Sequence, residues 1–267
     1  MKFIFEKEKL KNLSETYNEL YKSNNPYPHI VIDDFLNENI ANELYESFPK
    51  QGQIDFYKYD NPLEKKYAMD KIEILPFCIR NVLLNFNSPL FLNFLEKLTG
   101  IDGLIPDPYF RGGGIHQSIK GGKLDIHIDF NKHPKLKLER RINVLLYLNK
   151  NWKEEYNGDF QLWKGSKING EHKLESLEKR IYPIFNRFVA FNTSQISYHG
   201  FPDTICCPEE MSRNSIALYY YTSNRQDELD VDMHSTVYVK LPNNEDGYDE
   251  LRKQRSLGRI TSNIKEL

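Results

Sequence analysis

Between residues 110 and 222, Gly, Asn, Asp and Pro cut the chain into short runs whose apolar side chains recur at every second position, the period of a half-buried strand. The candidate strands are 113–119, 124–130, 142–148, 160–163, 187–192 and 214–222. In the third, Ile142, Val144, Leu146 and Leu148 share one face while Arg141, Asn143 and Tyr147 share the other, so one face packs and the other meets something polar. Many short strands around a partly polar interior favour a jelly roll or cupin-like barrel over a parallel sheet.

The first hundred residues read mostly as helix. Asn37 can cap a helix carrying Ile40, Leu44 and Phe48 until Pro49 stops it. Two further helical patterns cover 74–86 and 89–98, broken at Asn87 and Ser88 and ended by Gly100, while 28–32 reads as a short strand. After residue 224 come an acidic loop (Asp227, Glu228, Asp230, Asp232), a strand-like run at 236–241 and a charged stretch at 249–267. No Gly/Ser-rich or Pro-rich linker divides these parts. The expectation is a single domain over 1–267, mainly β with helical support (α+β): a helical layer at 1–109, the β core at 110–223 and a tail at 224–267.

Charge and cysteine usage remove several function classes. With 36 basic and 38 acidic side chains there is no positive field to recruit nucleic acid or an anionic membrane. No run approaches the roughly 18 apolar residues of a membrane span, and charges at Lys2, Glu6, Lys7, Glu8, Lys9 and Lys11 leave no room for a signal-peptide core. Cys78, Cys206 and Cys207 do not make a disulfide scaffold. A soluble, cytoplasmic protein is expected.

The run 124–130 carries the chemistry. Alternation sends His127 and Asp129 to one side and Ile126 and Ile128 to the other. An imidazole and a carboxylate two residues apart fill two places of a facial triad, and His199 is the natural third, a donor set suited to Fe(II) with open positions. Alone, H-x-D reads better as a surface strand with two solvated side chains. The weighing changes at Arg213, fourteen residues after His199. In a strand it shares a face with Ser215, and a guanidinium with a hydroxyl makes a socket for the distal carboxylate of a dicarboxylic acid.

The ordered set His127-x-Asp129, Tyr147 to Trp152, Gly158 before 160–163, His199 and Arg213-x-Ser215 resembles the Fe(II)- and 2-oxoglutarate-dependent dioxygenases, within them the prolyl 4-hydroxylase-like branch. The resemblance covers about 110 to 223, with weaker similarity at 28–49. It implies a double-stranded β-helix, iron on His127, Asp129 and His199, and the 2-oxoglutarate C5 carboxylate on Arg213 and Tyr147, with Ser215 as a minor partner. Gln117 stands where relatives often carry a tyrosine near the cosubstrate. The implied reactants are Fe(II), 2-oxoglutarate and O2, with ascorbate as an optional addition, and the carboxylate ligand Asp129 favours hydroxylation over halogenation.

The substrate that the resemblance implies first is a prolyl residue of a peptide or protein. A free amino acid, sugar or natural-product intermediate is the alternative, served by a lidded pocket with 132–137 or the tail as lid. Outside this reading stand a non-catalytic cupin-like binding module, and a cupin enzyme without cosubstrate that would leave Arg213 and Tyr147 unused. Other residues take plainer roles. His116, His133, His29, His172 and His234 read as ordinary polar or loop histidines, the glycines at 112–114 and 121–122 as turns, and Cys206 and Cys207 as small loop residues. Tyr219 to Tyr221 read as core and interface. Arg140 and Arg141 either reach toward substrate or pair with acids such as Glu139, Glu154 or Glu155, and the acidic loop is a solvated face.

Overall fold

The computed structural model describes residues 2–228, 231–242 and 244–258. The first part of the chain runs through helix α1 (Lys7–Ser23), strand β1 (His29–Ile32), helix α2 (Glu38–Glu46), strands β2 (Tyr57–Asn61) and β3 (Glu64–Met69), and helices α3 (Phe77–Phe86) and α4 (Pro89–Thr99). Strands β4 (Ile105–Pro106), β5 (Gly114–Ser118), β6 (Lys123–Ile128), β7 (Glu139–Tyr147), β8 (Phe160–Ile168), β9 (Glu171–Ile181), β10 (Arg187–Asn192), β11 (Tyr198–Phe201), β12 (Arg213–Thr222) and β13 (Val237–Tyr238) follow, then helix α5 (Asp249–Ser256). Among the described residues no helix is long and apolar enough to cross a membrane.

The strands pair antiparallel in the order β1-β10-β7-β12-β5-β3-β6-β11-β8-β9, with β2 on β3, β4 on β12 and β13 on β6. This is the barrel-like sheet of a jelly roll, nearly closed. Its first strands bury their outer faces under the helices: Ile142, Val144, Leu146, Phe188, Ala190, Ile216 and Leu218 share one apolar cluster with Leu44, Phe86, Phe91 and Phe94. The expected split of β7 is observed from Ile142 onward, with its aliphatic face in this core and Asn143, Leu145 and Tyr147 on the interior, while Arg141, expected on that inner face, turns instead to Asp227. Phe188 is fully buried and stacks on Phe35 at 4.2 Å between ring centroids. Phe188→Ala should cost about 3–5 kcal/mol in urea denaturation through lost burial plus the cavity left behind.

The helix ends follow the local chemistry. The Asn37 side chain accepts from the Asn39 N–H ahead of α2, and Ser88 with Pro89 opens α4, which Gly100 closes at φ +73°. Several elements depart from expectation. The first hundred residues hold, besides helices, the hairpin β2–β3, and β3 bridges β5 to β6 and so closes the roll. Strand β9 extends the predicted 160–163 run into a long ribbon. The expected strand at 236–241 is shortened to β13, and the charged stretch contains α5, while Asp230 and 259–267 lie outside the described residues.

Candidate active site

Strands β6 and β11 are neighbours, with His127 directly opposite His199. Asp129 follows the end of β6 by one residue and keeps the alternation, so its carboxylate turns to the same side. Its oxygens lie 3.3 Å from His199 Nε2 and 3.8 Å from His127 Nε2, and one donor atom from each of the three residues falls within 4.8 Å of the others. Both Nδ1 atoms face carbonyls two residues upstream, His127 on Asp125 and His199 on Ser197, each at 2.8 Å. A carbonyl only accepts, so the ring proton belongs on Nδ1 and the Nε2 lone pair points inward. Burial, with His199 beside it, pushes His127 down to about 3, so it is neutral. Lone pairs from two imidazoles and a carboxylate thus converge where a cation belongs, and this donor set fits Fe(II).

Asp129 has its own support. Burial alone would raise its carboxyl, but the Arg140 guanidinium and the two histidines outweigh that and hold it well below the usual carboxylate range. Arg140 Nη2 is 3.1 Å from Asp129 Oδ2, and Arg140 Nε donates to Asn143 Oδ1 at 2.9 Å while Asn143 Nδ2 donates to Asp129 Oδ2 at 2.6 Å. A register shift between Tyr220 and Tyr221 of β12 sets two residues of β7 against one and brings Arg140 to this side. Neither arginine pairs with Glu154 or Glu155: Arg140 holds Asp129, and Arg141 Nη2 is 3.5 Å from Asp227.

The cavity beside the triad is lined by Arg213, Ser215 and Tyr219 of β12, Tyr147 and Asn143 of β7, His116 of β5 and Lys66 of β3. Arg213 Nε donates to the Gly158 carbonyl at 2.6 Å and Nη2 donates to the Tyr147 hydroxyl oxygen at 3.1 Å. Gly158 sits at φ +76°, and a Cβ there would come 3.1 Å from Arg213 Cδ, so the turn that presents this carbonyl needs glycine. The Phe201 ring lies 4.1 Å from the guanidinium. A buried, oriented cation with free donors facing a cavity fits a carboxylate.

The structure thus brings together His127, Asp129, His199, Arg213, Tyr147 and Ser215. Gln117 is not among them. Register on β5 turns it to the opposite face, where its Nε2 donates to Pro49 O and Asn214 Oδ1, and it is His116 that reaches the cavity. His133 is a buried loop histidine whose Nδ1 accepts from the N–H groups of Lys135 and Leu136. With Lys132 paired to Glu139 at 2.9 Å, the loop considered as a lid is pinned at its start. Sequence reasoning missed Lys66, and it read Tyr219 as packing only.

The sequence profile of the 2OG-Fe(II) oxygenase superfamily matches residues 113–221, the span that carries all six of these residues. This segment belongs to that superfamily. The match implies Fe(II), 2-oxoglutarate and O2 as the reactants. No curated protein matches the chain. In fold, the chain is similar to a prolyl-4-hydroxylase from Pseudomonas putida, at 11% identity over 79% of this chain and 99% of that one, with a TM-score of 0.51. It is similar too to the non-heme α-ketoglutarate-dependent epimerase SnoN of nogalamycin biosynthesis, at 10% identity over 79% and 82% of the two chains and a TM-score of 0.55.

Proposed function

We propose that this dioxygenase hydroxylates a C–H bond, with His127, Asp129 and His199 holding Fe(II) and Arg213, Tyr147 and Ser215 holding the C5 carboxylate of 2-oxoglutarate. The observation that carries the assignment is the convergence of two Nε2 lone pairs and a carboxylate, tautomers fixed by backbone carbonyls, in the cavity that Arg213 enters. When bound, iron and cosubstrate supply the activation of O2. The chain's own residues orient and exclude. Asn143 and Arg140 fix the direction of Asp129, and Phe160, Phe191 and Phe201 exclude water from the cavity wall.

The first substrate class is a prolyl residue of a peptide or protein, a reading supported by the resemblance of the motif order to prolyl 4-hydroxylases. The chain works as one catalytic domain, and the unbridged thiols of Cys78, Cys206 and Cys207 fit a reducing, cytoplasmic setting.

The test is anaerobic titration of the apoprotein with Fe(II) and 2-oxoglutarate, read by the visible charge-transfer band of the chelate. Aerobic succinate release follows, with ascorbate present, over prolyl peptides and then free amino acids. Appearance of the band and peptide-dependent succinate are expected. Succinate only with small molecules would move the substrate class, and a folded protein with no band would leave a binding module.

A further inference from the structure

One cation of the cavity has no place in the assignment above. Lys66 enters from β3 and lines the same cavity as Arg213 and the triad. Strand β5 lies between β3 and β12. Arg213 is in register with Ser118, and Tyr67, the neighbour of Lys66, with Gln117, so the two cations reach the cavity from either side of β5 at one level of the barrel.

The ammonium is held with donors to spare. Its ion-pair partner is Glu64 at 3.8 Å, beyond hydrogen-bond reach, and that same buried carboxylate makes a closer pair with Arg255 of α5. The Lys66 side chain is 17% exposed, its ammonium also lies 5.1 Å from the Tyr59 ring, and it carries three N–H groups for a ligand acceptor. Burial lowers its basicity, Glu64 and Asp129 support the charge, and Arg255 and Arg213 oppose it. Arg213, meanwhile, has already committed Nε to Gly158 and an Nη2 hydrogen to Tyr147. Part of its fork is therefore engaged before any ligand arrives, and a carboxylate seated on it has lone pairs left for a second donor.

We propose that Lys66 is a second cationic contact for 2-oxoglutarate, donating to the distal carboxylate alongside Arg213. The inference rests on the function proposed above. It assigns hairpin β2–β3 a part in cosubstrate recognition as well as in closing the barrel.

The experiment reads binding, without turnover. The wild type, Lys66→Met and Lys66→Arg are titrated anaerobically with 2-oxoglutarate at saturating Fe(II), following the charge-transfer band, and Mn(II) affinity of each apoprotein is measured by calorimetry. Lys66→Met should weaken 2-oxoglutarate roughly tenfold or more, the scale of one charge-assisted hydrogen bond, with Mn(II) affinity unchanged, and Lys66→Arg should recover most of the loss. Lys66→Gln replaces Lys66→Met if the latter melts early. Cosubstrate affinity unchanged within about twofold, in a variant that melts like the wild type, overturns the contact and leaves the ammonium to a substrate anion. A wild type that binds Mn(II) but gives no band overturns the functional reading itself, a result distinct from a band equal in wild type and variant.

Discussion

Replacing Asp129 with Ala is expected to abolish Fe(II) binding and turnover and also to destabilise the metal-free protein by about 3–5 kcal/mol, the usual cost of leaving one member of a buried ion pair without its partner. The reason lies behind the ligand. Arg140 is 1% exposed, its charge is balanced by Asp129 at 3.1 Å, and the Phe130 and Tyr219 rings lie 4.4 and 3.5 Å from the guanidinium. Loss of the carboxylate strands that guanidinium. His127→Ala is expected to abolish iron binding equally, yet to cost less stability, because the ring it removes is neutral and no charge is left behind. Anaerobic Fe(II) titration and urea denaturation of both variants check the pair, and full activity in either would remove the metal assignment. Because the Asp129 carboxyl is held below its ordinary value, its contribution to stability is complete above about pH 4 and is lost as pH falls through the depressed pKa.

Arg213→Ala is expected to weaken 2-oxoglutarate by about 1.5–3 kcal/mol, roughly ten- to 150-fold, while Fe(II) affinity stays where it was. The guanidinium makes no hydrogen bond to His127, Asp129 or His199, and its hydrogen bonds go to Gly158 O and the Tyr147 hydroxyl. Arg213→Lys should recover only part of the loss, since an ammonium cannot span both partners and still present a flat pair of donors. The anaerobic chelate band, titrated separately against metal and against cosubstrate, separates the two affinities. Equal cosubstrate binding in wild type and Arg213→Ala would sink the role.

What could be read from the sequence was what alternation and residue chemistry encode. His127 and Asp129 two apart, the two faces of β7, and Arg213 with Ser215 on one side of β12 all follow from the period of a strand. What could not be read depends on pairing. Gln117 and His116 are adjacent, and only the register of β5 decides which enters the cavity. Arg140 faces Asp129 because the β7–β12 ladder slips near Tyr221, which no pattern along one strand reveals. Strand β9 escaped because its charged side chains fall on both faces of a ribbon that is largely exposed, so burial imposes no alternation. Lys66 sits in a run of charges, Glu64 to Lys66, that reads as solvated until the hairpin is folded against β5 and β6.

The Tyr27 hydroxyl donates to the carbonyl of Tyr198, 171 residues away along the chain and next to His199. Its consequence concerns the order of events in time. A chain emerging from the ribosome presents β6 and its histidine long before β11, and the brace for the last ligand belongs to the segment made first. Contacts of such sequence separation pay their loop-closure entropy late, so His199 joins His127 and Asp129 only after most of the chain has been made.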